Sequence, residues 1–180
     1  MYSPLNGKSS LDYLKNENWM ISGIHQNQIF VFTNCIHMFN ALAQLYLRLA
    51  LGAGFFIIGC DRLGFWGPYG KPWVSWGDWK HFSAYAHELM GFLPGWLAEV
   101  LAVVATVAEI SFGILLLLGL FTRQAAFGSG VLTACFAIAM TISNGITSPI
   151  NYSVFTVSAA SFLLSAQPLY RWSLDAVFRR

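Results

Sequence analysis

The chain has 180 residues, of which 56% are hydrophobic, 16% aromatic and only 10% charged, with a formal net charge of +2 and a mean hydropathy of +0.55. A soluble domain carries about 25% charged residues, so this composition excludes an ordinary soluble enzyme and indicates an integral membrane protein. The length suits one domain of about four spans with short connections; the net charge by itself says nothing about nucleic acid, which is not an expected partner.

Residues 1–28 form a polar segment holding Lys8, Asp12, Lys15 and Glu17, without the basic-then-apolar order of a signal peptide. Short apolar pieces around Leu11, Leu14 and Trp19 suit a helical turn or two lying on the membrane. From Ile29 the chain turns apolar, and Thr33, His37, Asn40, Gln44 and Arg48 recur at three- and four-residue spacings, which is one face of a helix. One helix over about 29–62 follows, its spanning part about 41–62, with Gly52, Gly54 and Gly59 open to close approach by a neighbour. Residues 29–180 are thus expected to form a single membrane domain.

Residues 63–95 interleave Trp66, Trp73, Trp76 and Trp79 with glycines and prolines, the composition of an irregular interfacial cap. A short helix over about 79–92 is expected inside it, with Asp78 as its N-cap and Gly91 near its end. Two spans follow at about 96–120 and 125–144, joined by the short turn around FTRQ, so they are antiparallel neighbours. In the first, Ala105, Glu109 and Gly113 share a face of small residues around a carboxylate. In the second, Ala125, Ser129, Thr133, Ala137 and Thr141 form an unbroken i, i+4 seam that Asn144 and Gly145 close. A fourth span is expected over about 149–166, with Ser148 as N-cap and Pro149 in its first turn, before an amphipathic basic tail.

Within this bundle the ionisable residues are the informative ones. A guanidinium in hydrocarbon costs several kcal/mol, so Arg48 must face the bundle interior and find a partner. Counting about 1.5 Å per residue from span ends near Ala41 and Leu120 puts Arg48 roughly 10 Å and Glu109 roughly 17 Å from one surface, an offset an extended arginine could cover. The expected intramembrane ion pair is therefore Arg48 with Glu109. The bland alternative is that Arg48 snorkels and Glu109 is protonated.

Cys35, Cys60 and Cys135 make no CxxC pair and lie in or beside apolar segments, so they read as packing residues, and no metal site is indicated. None of His25, His37, His81 or His87 falls inside a span, which argues against bound haem. Six basic residues, Lys8, Lys15, Arg123, Arg171, Arg179 and Arg180, fall on the side of the termini, against Arg62, Lys71 and Lys80 on the side of the tryptophan cap. By the positive-inside rule both termini are expected in the cytoplasm and the cap in the periplasm of a bacterial inner membrane.

Two segments carry a family resemblance, RLALGAGFFIIGCDRL from Arg48 and EISFGILLLLGLFTRQAA from Glu109. They resemble the DoxX family of small four-span membrane proteins, DoxD-like subunits included, over roughly residues 45–166. The resemblance implies an all-α membrane four-helix bundle that works as a redox-associated subunit beside a partner oxidoreductase, rather than a self-sufficient enzyme. It implies a quinone or lipid pocket near Arg48, Glu109, Asp61 and Arg62 opening toward the cap, with quinone the candidate ligand; no Cys or Gly-rich motif argues for iron-sulfur, flavin or nucleotide, so no covalently bound cofactor is expected. Glu99, Trp66, Trp79, Trp96 and Asn144 complete the candidate pocket, since aromatic walls and a few convergent polar groups suit a quinone headgroup. The alternative function is a non-catalytic scaffold, assembly subunit or small-molecule or lipid carrier, in which the ion pair only sets helix register. Residues 1–44 lie largely outside the resemblance and are expected to dock a partner.

Overall fold

The computed structural model describes the backbone of residues 10–178 and the side chains of residues 33–178. The expectation of a polar, interfacial segment over 1–28 rests on side chains outside the described residues. Among the described residues the protein is all-helical: α1 (Ser10–Asp61), α2 (Trp79–Leu89), α3 (Gly95–Leu118), α4 (Thr122–Asn144), α5 (Thr147–Asn151), α6 (Val154–Ser165) and α7 (Leu174–Phe178). Residues 1–42 and 43–180 are two compact units, and the bundle is the second of them. Three helices, Thr33–Asp61 of α1, α3 and α4, are long and apolar enough to cross a membrane, and their exposed faces carry Ile57, Val104, Val107, Phe127 and Ile138.

Small residues set the packing. Gly113 of α3 lies so close to α1 that a Cβ there would stand 2.6 Å from the Phe56 amide nitrogen, and Gly59 and Gly52 of α1 meet Ile110 and Leu117 in the same way. These pairs fix an antiparallel register between α1 and α3. On α4 the seam Ala125, Ser129, Thr133 and Ala137 is fully buried, and Ser158 Oγ of α6 donates to the Gly130 carbonyl at 2.9 Å. The α3–α4 turn requires glycine at Gly119, where φ is 70° and a Cβ would collide with the Arg48 guanidinium.

The segment expected as a fourth span over 149–166 is not one continuous helix. It breaks between α5 and α6 at Tyr152 and Ser153, with Ser153 in the left-handed region at φ 56°. α5 starts at Thr147 with Ile146 in the N-cap position, so Ser148 does not cap it. Tyr152 and Val154, on either side of the break, border a cavity.

The C-terminal tail does more than lie on a surface. It folds over one end of the bundle, burying Tyr170 and Ser173, and takes hydrogen bonds from Gln44 to the Leu169 carbonyl and from Arg48 to the Trp172 carbonyl. Both Asp175 carboxylate oxygens accept at 2.8 Å from the free amides of Phe121 and Thr122, capping α4 from 53 residues away in sequence. Asp175→Ala is expected to cost about 1–2 kcal/mol of stability, the usual worth of a helix cap, read as a lowered unfolding midpoint in detergent.

Candidate functional site

The site begins at the last turn of α1, where two adjacent charges are buried and directed to opposite tasks. The Asp61 Oδ2 atom accepts from the backbone amides of Ser75 at 2.9 Å and Trp76 at 2.7 Å, pinning the returning loop onto the bundle. Arg62, only 5% exposed, reaches inward. Its Nη1 donates to Thr106 Oγ1 at 2.9 Å and lies 2.5 Å from Glu109 Oε2, while its Cζ sits 3.9 Å from the centre of the Phe82 ring. The angle to Glu109 is not that of a hydrogen bond, but charge attraction depends on distance and the contact is a buried ion pair. The Nε of Arg62 has no hydrogen-bond partner among the described residues.

Glu109 therefore pairs with Arg62 and not with Arg48, correcting the pairing expected from helix depth. That expectation took α1 to enter at Ala41 level with the end of α3. The observed register instead brings Gly119, in the α3–α4 turn, against Arg48 itself. Arg48 thus lies about ten residues of helix, or about 15 Å, from the level of Glu109. At the opposite end of the bundle its Nη2 donates to the Trp172 carbonyl, with the Asp175 charge nearby, while its Nε and Nη1 have no hydrogen-bond partner among the described residues.

Above the Arg62–Glu109 pair, α2 and the loop before it form a lid. Asp78 caps α2 by accepting from the His81 amide at 2.9 Å, a bond that also holds the exposed Asp78 carboxyl below its ordinary pKa. Glu99 fastens α2 to α3: Oε1 accepts from Trp79 Nε1 at 2.9 Å, and Oε2 accepts from Ser83 Oγ at 2.5 Å and meets His87 Nε2 at 3.0 Å. Ser143 Oγ at the end of α4 donates to the Leu89 carbonyl and ties down the far end of α2. Phe82, Ala86 and Leu89 turn inward as an i, i+4, i+7 stripe. Tyr85, on the same helix, stands 4.7 Å from the Trp76 ring, and burial raises its phenol pKa, so it is a protonated donor at neutral pH.

Beneath this lid lies an inner cavity of about 610 Å³, itself open to the exterior beside the exposed Gly54, Ile58 and Tyr152. Arg62, Glu109, Ser75, Thr133, Tyr85 and Tyr152 give its wall a polar side, while Phe55, Ile58, Met140 and Val157 are among its apolar residues. Gly54 of α1 also lines it, and a Cβ there would meet nothing within 4 Å. A second opening of about 500 Å³, walled almost wholly by apolar residues of α2, α3 and α4, shares Arg62, Trp76 and Tyr85 with the first.

Of the residues expected at a pocket, Arg62 and Glu109 line the inner cavity. Asp61 and Glu99 act as clamps that hold the lid, and Trp79 packs beside Phe82 while bonded to Glu99. Trp66 donates to the Ile57 carbonyl at the end of α1, and Trp96 and Asn144 are exposed, so none of these three lines either opening. Trp76, Tyr85 and Thr133 line the inner cavity without having been singled out as pocket residues. The apolar stripe of α2 was the available signal for the face on which Tyr85 borders the cavity; Trp76 is placed by its hydrogen bond to Asp61, which no local pattern announces.

A family model for DoxX matches residues 43–142, more than half of the chain. The protein belongs to the DoxX family. The matched stretch starts where the second compact unit starts and includes Arg48, Asp61, Arg62, Glu99, Glu109 and the whole lid. Neither among curated proteins nor among solved structures does anything match this DoxX chain significantly.

Proposed function

We propose that this DoxX protein is a redox-associated membrane subunit whose inner cavity binds the headgroup of a quinone and which works with a partner oxidoreductase. The observation that carries the reading is Arg62, a buried guanidinium on the wall of a cavity of about 610 Å³ whose Nε has no partner among the described residues. Small-molecule sites span about 300–1,000 Å³ and combine apolar walls with a few polar groups. A buried donor without a partner is costly, and a ligand oxygen would satisfy it.

The residues fit such a ligand. Arg62 and Tyr85 are donors for quinone oxygens, the Trp76 ring is a flat apolar surface, and Glu109 is a carboxyl group beside the guanidinium. A bound quinone supplies two-electron, two-proton chemistry; this chain's residues bind and orient its ring, exclude water and place a carboxyl group where a proton is needed. The second redox centre belongs to the partner, which suits a subunit rather than a self-sufficient enzyme. The basic residues on the side of the termini support a bacterial inner-membrane orientation with both termini cytoplasmic.

Mass spectrometry of organic extracts from gently purified protein tests the reading. The expected result is a stoichiometric quinone that is lost in Glu109→Gln and in Gly54→Leu, two variants that alter the cavity by different means. Phospholipid as the sole extracted species, with no quinone binding on addition, would overturn it in favour of a scaffold or lipid carrier.

A further inference from the structure

The inner cavity and the apolar opening beside it have Arg62, Trp76, Tyr85, Phe136, Met140 and Val154 in common. They are neighbouring rooms with one shared wall, and their chemistry differs. The polar groups Glu109, Thr133, Ser75 and Tyr152 line only the inner cavity, whereas among the described residues Arg62 is the sole charged one lining the second opening. Away from Arg62 that opening runs between Leu101 and Val104 of α3 and Ile138 and Ile142 of α4, all of them exposed apolar residues of membrane-crossing helices.

We propose that this opening is the exit groove for a long apolar chain covalently attached to the headgroup in the inner cavity, so that the ligand is an amphiphile with an isoprenoid or similar tail. The inference rests on the headgroup reading above. A chamber with one polar side that adjoins an almost wholly apolar channel running between exposed residues of α3 and α4 matches a molecule with one polar end. The groove contributes little affinity of its own, because an apolar chain is as well solvated by lipid as by leucine and valine. Its role is steric: it lets the headgroup sit under Trp76 and Tyr85 while the chain remains in the bilayer. Ala139, half-buried on α4, lines the groove and is absent from the inner cavity wall, so a larger residue there narrows the groove alone.

The test compares two benzoquinones with the same ring, one without a side chain and one with a ten-carbon chain, bound to the full-length protein in nanodiscs at known mole fractions. Wild type is expected to bind both, and Ala139→Trp to weaken the chain-bearing quinone at least tenfold while leaving the chainless one unchanged. Leu101→Trp, on the facing helix, should give the same split, which guards against a single misfolded variant. If both variants bind the chain-bearing quinone as wild type does, the tail leaves by another route and the groove assignment fails while the headgroup reading stands. If wild type binds neither quinone, the headgroup reading fails and the groove assignment with it. A phospholipid chain that holds the groove and is not displaced by the chain-bearing quinone also overturns the assignment.

Discussion

Replacing Glu109 with leucine is expected to destabilise the bundle by about 3–5 kcal/mol, because it strands the buried Arg62 guanidinium without its counter-charge. The double replacement Arg62→Met with Glu109→Leu should recover most of that loss, since an apolar pair of similar volume removes both desolvation costs together. Unfolding midpoints in mixed micelles give the coupling energy from the four proteins of the cycle. The same cycle built on Arg48→Met and Glu109→Leu is the control. The two side chains lie at different levels of the bundle, so their coupling should fall within about 0.5 kcal/mol of zero. A coupling above 1 kcal/mol between Arg48 and Glu109 would mean that the register placing Arg62 at Glu109 is wrong.

Glycines that look alike in the sequence are expected to give opposite results. Gly54→Leu adds a side chain at the exposed edge of the inner cavity, where a Cβ meets nothing within 4 Å. It should leave stability unchanged or raise it by up to about 1 kcal/mol, because glycine is a poor helix former, and it should weaken quinone binding at least tenfold by occupying the cavity. Gly113→Ala places its methyl 2.6 Å from the Phe56 amide nitrogen and forces α1 and α3 apart. A loss of about 1–3 kcal/mol is expected there. Stability and binding measured side by side on these two variants separate a cavity that binds from one that is only a packing defect. Unchanged binding in Gly54→Leu would remove the inner cavity from consideration.

Much of the architecture was legible because in a membrane the apolar requirement is imposed on long, unbroken segments. The helix boundaries of α3 and α4, the tight turn between them, the α4 seam and the Asp78 cap all follow from local patterns that act within one or two turns of helix. The family resemblance was likewise carried by continuous stretches. Helix breaks were less legible. Nothing local marks Ser153 for a left-handed conformation, and Pro149 reads equally well as the first turn of one helix or as part of a short separate one.

The sequence by itself determined that the chain is a membrane helical bundle, that it carries the DoxX segments and that Arg48 and Glu109 cannot both face lipid. Only the tertiary structure decided which charges meet. Pairing depends on the axial offset between α1 and α3, and that offset is set by the close approach of Gly52, Gly59 and Gly113 to residues more than 50 positions away. Sliding one helix by a few turns would exchange Arg62 for another partner without changing any local pattern. The roles of Asp61 and Glu99 were settled in the same way: both are carboxylates near the cap in sequence, and only the fold of the loop and α2 over the bundle makes them clamps of the lid instead of groups in the cavity.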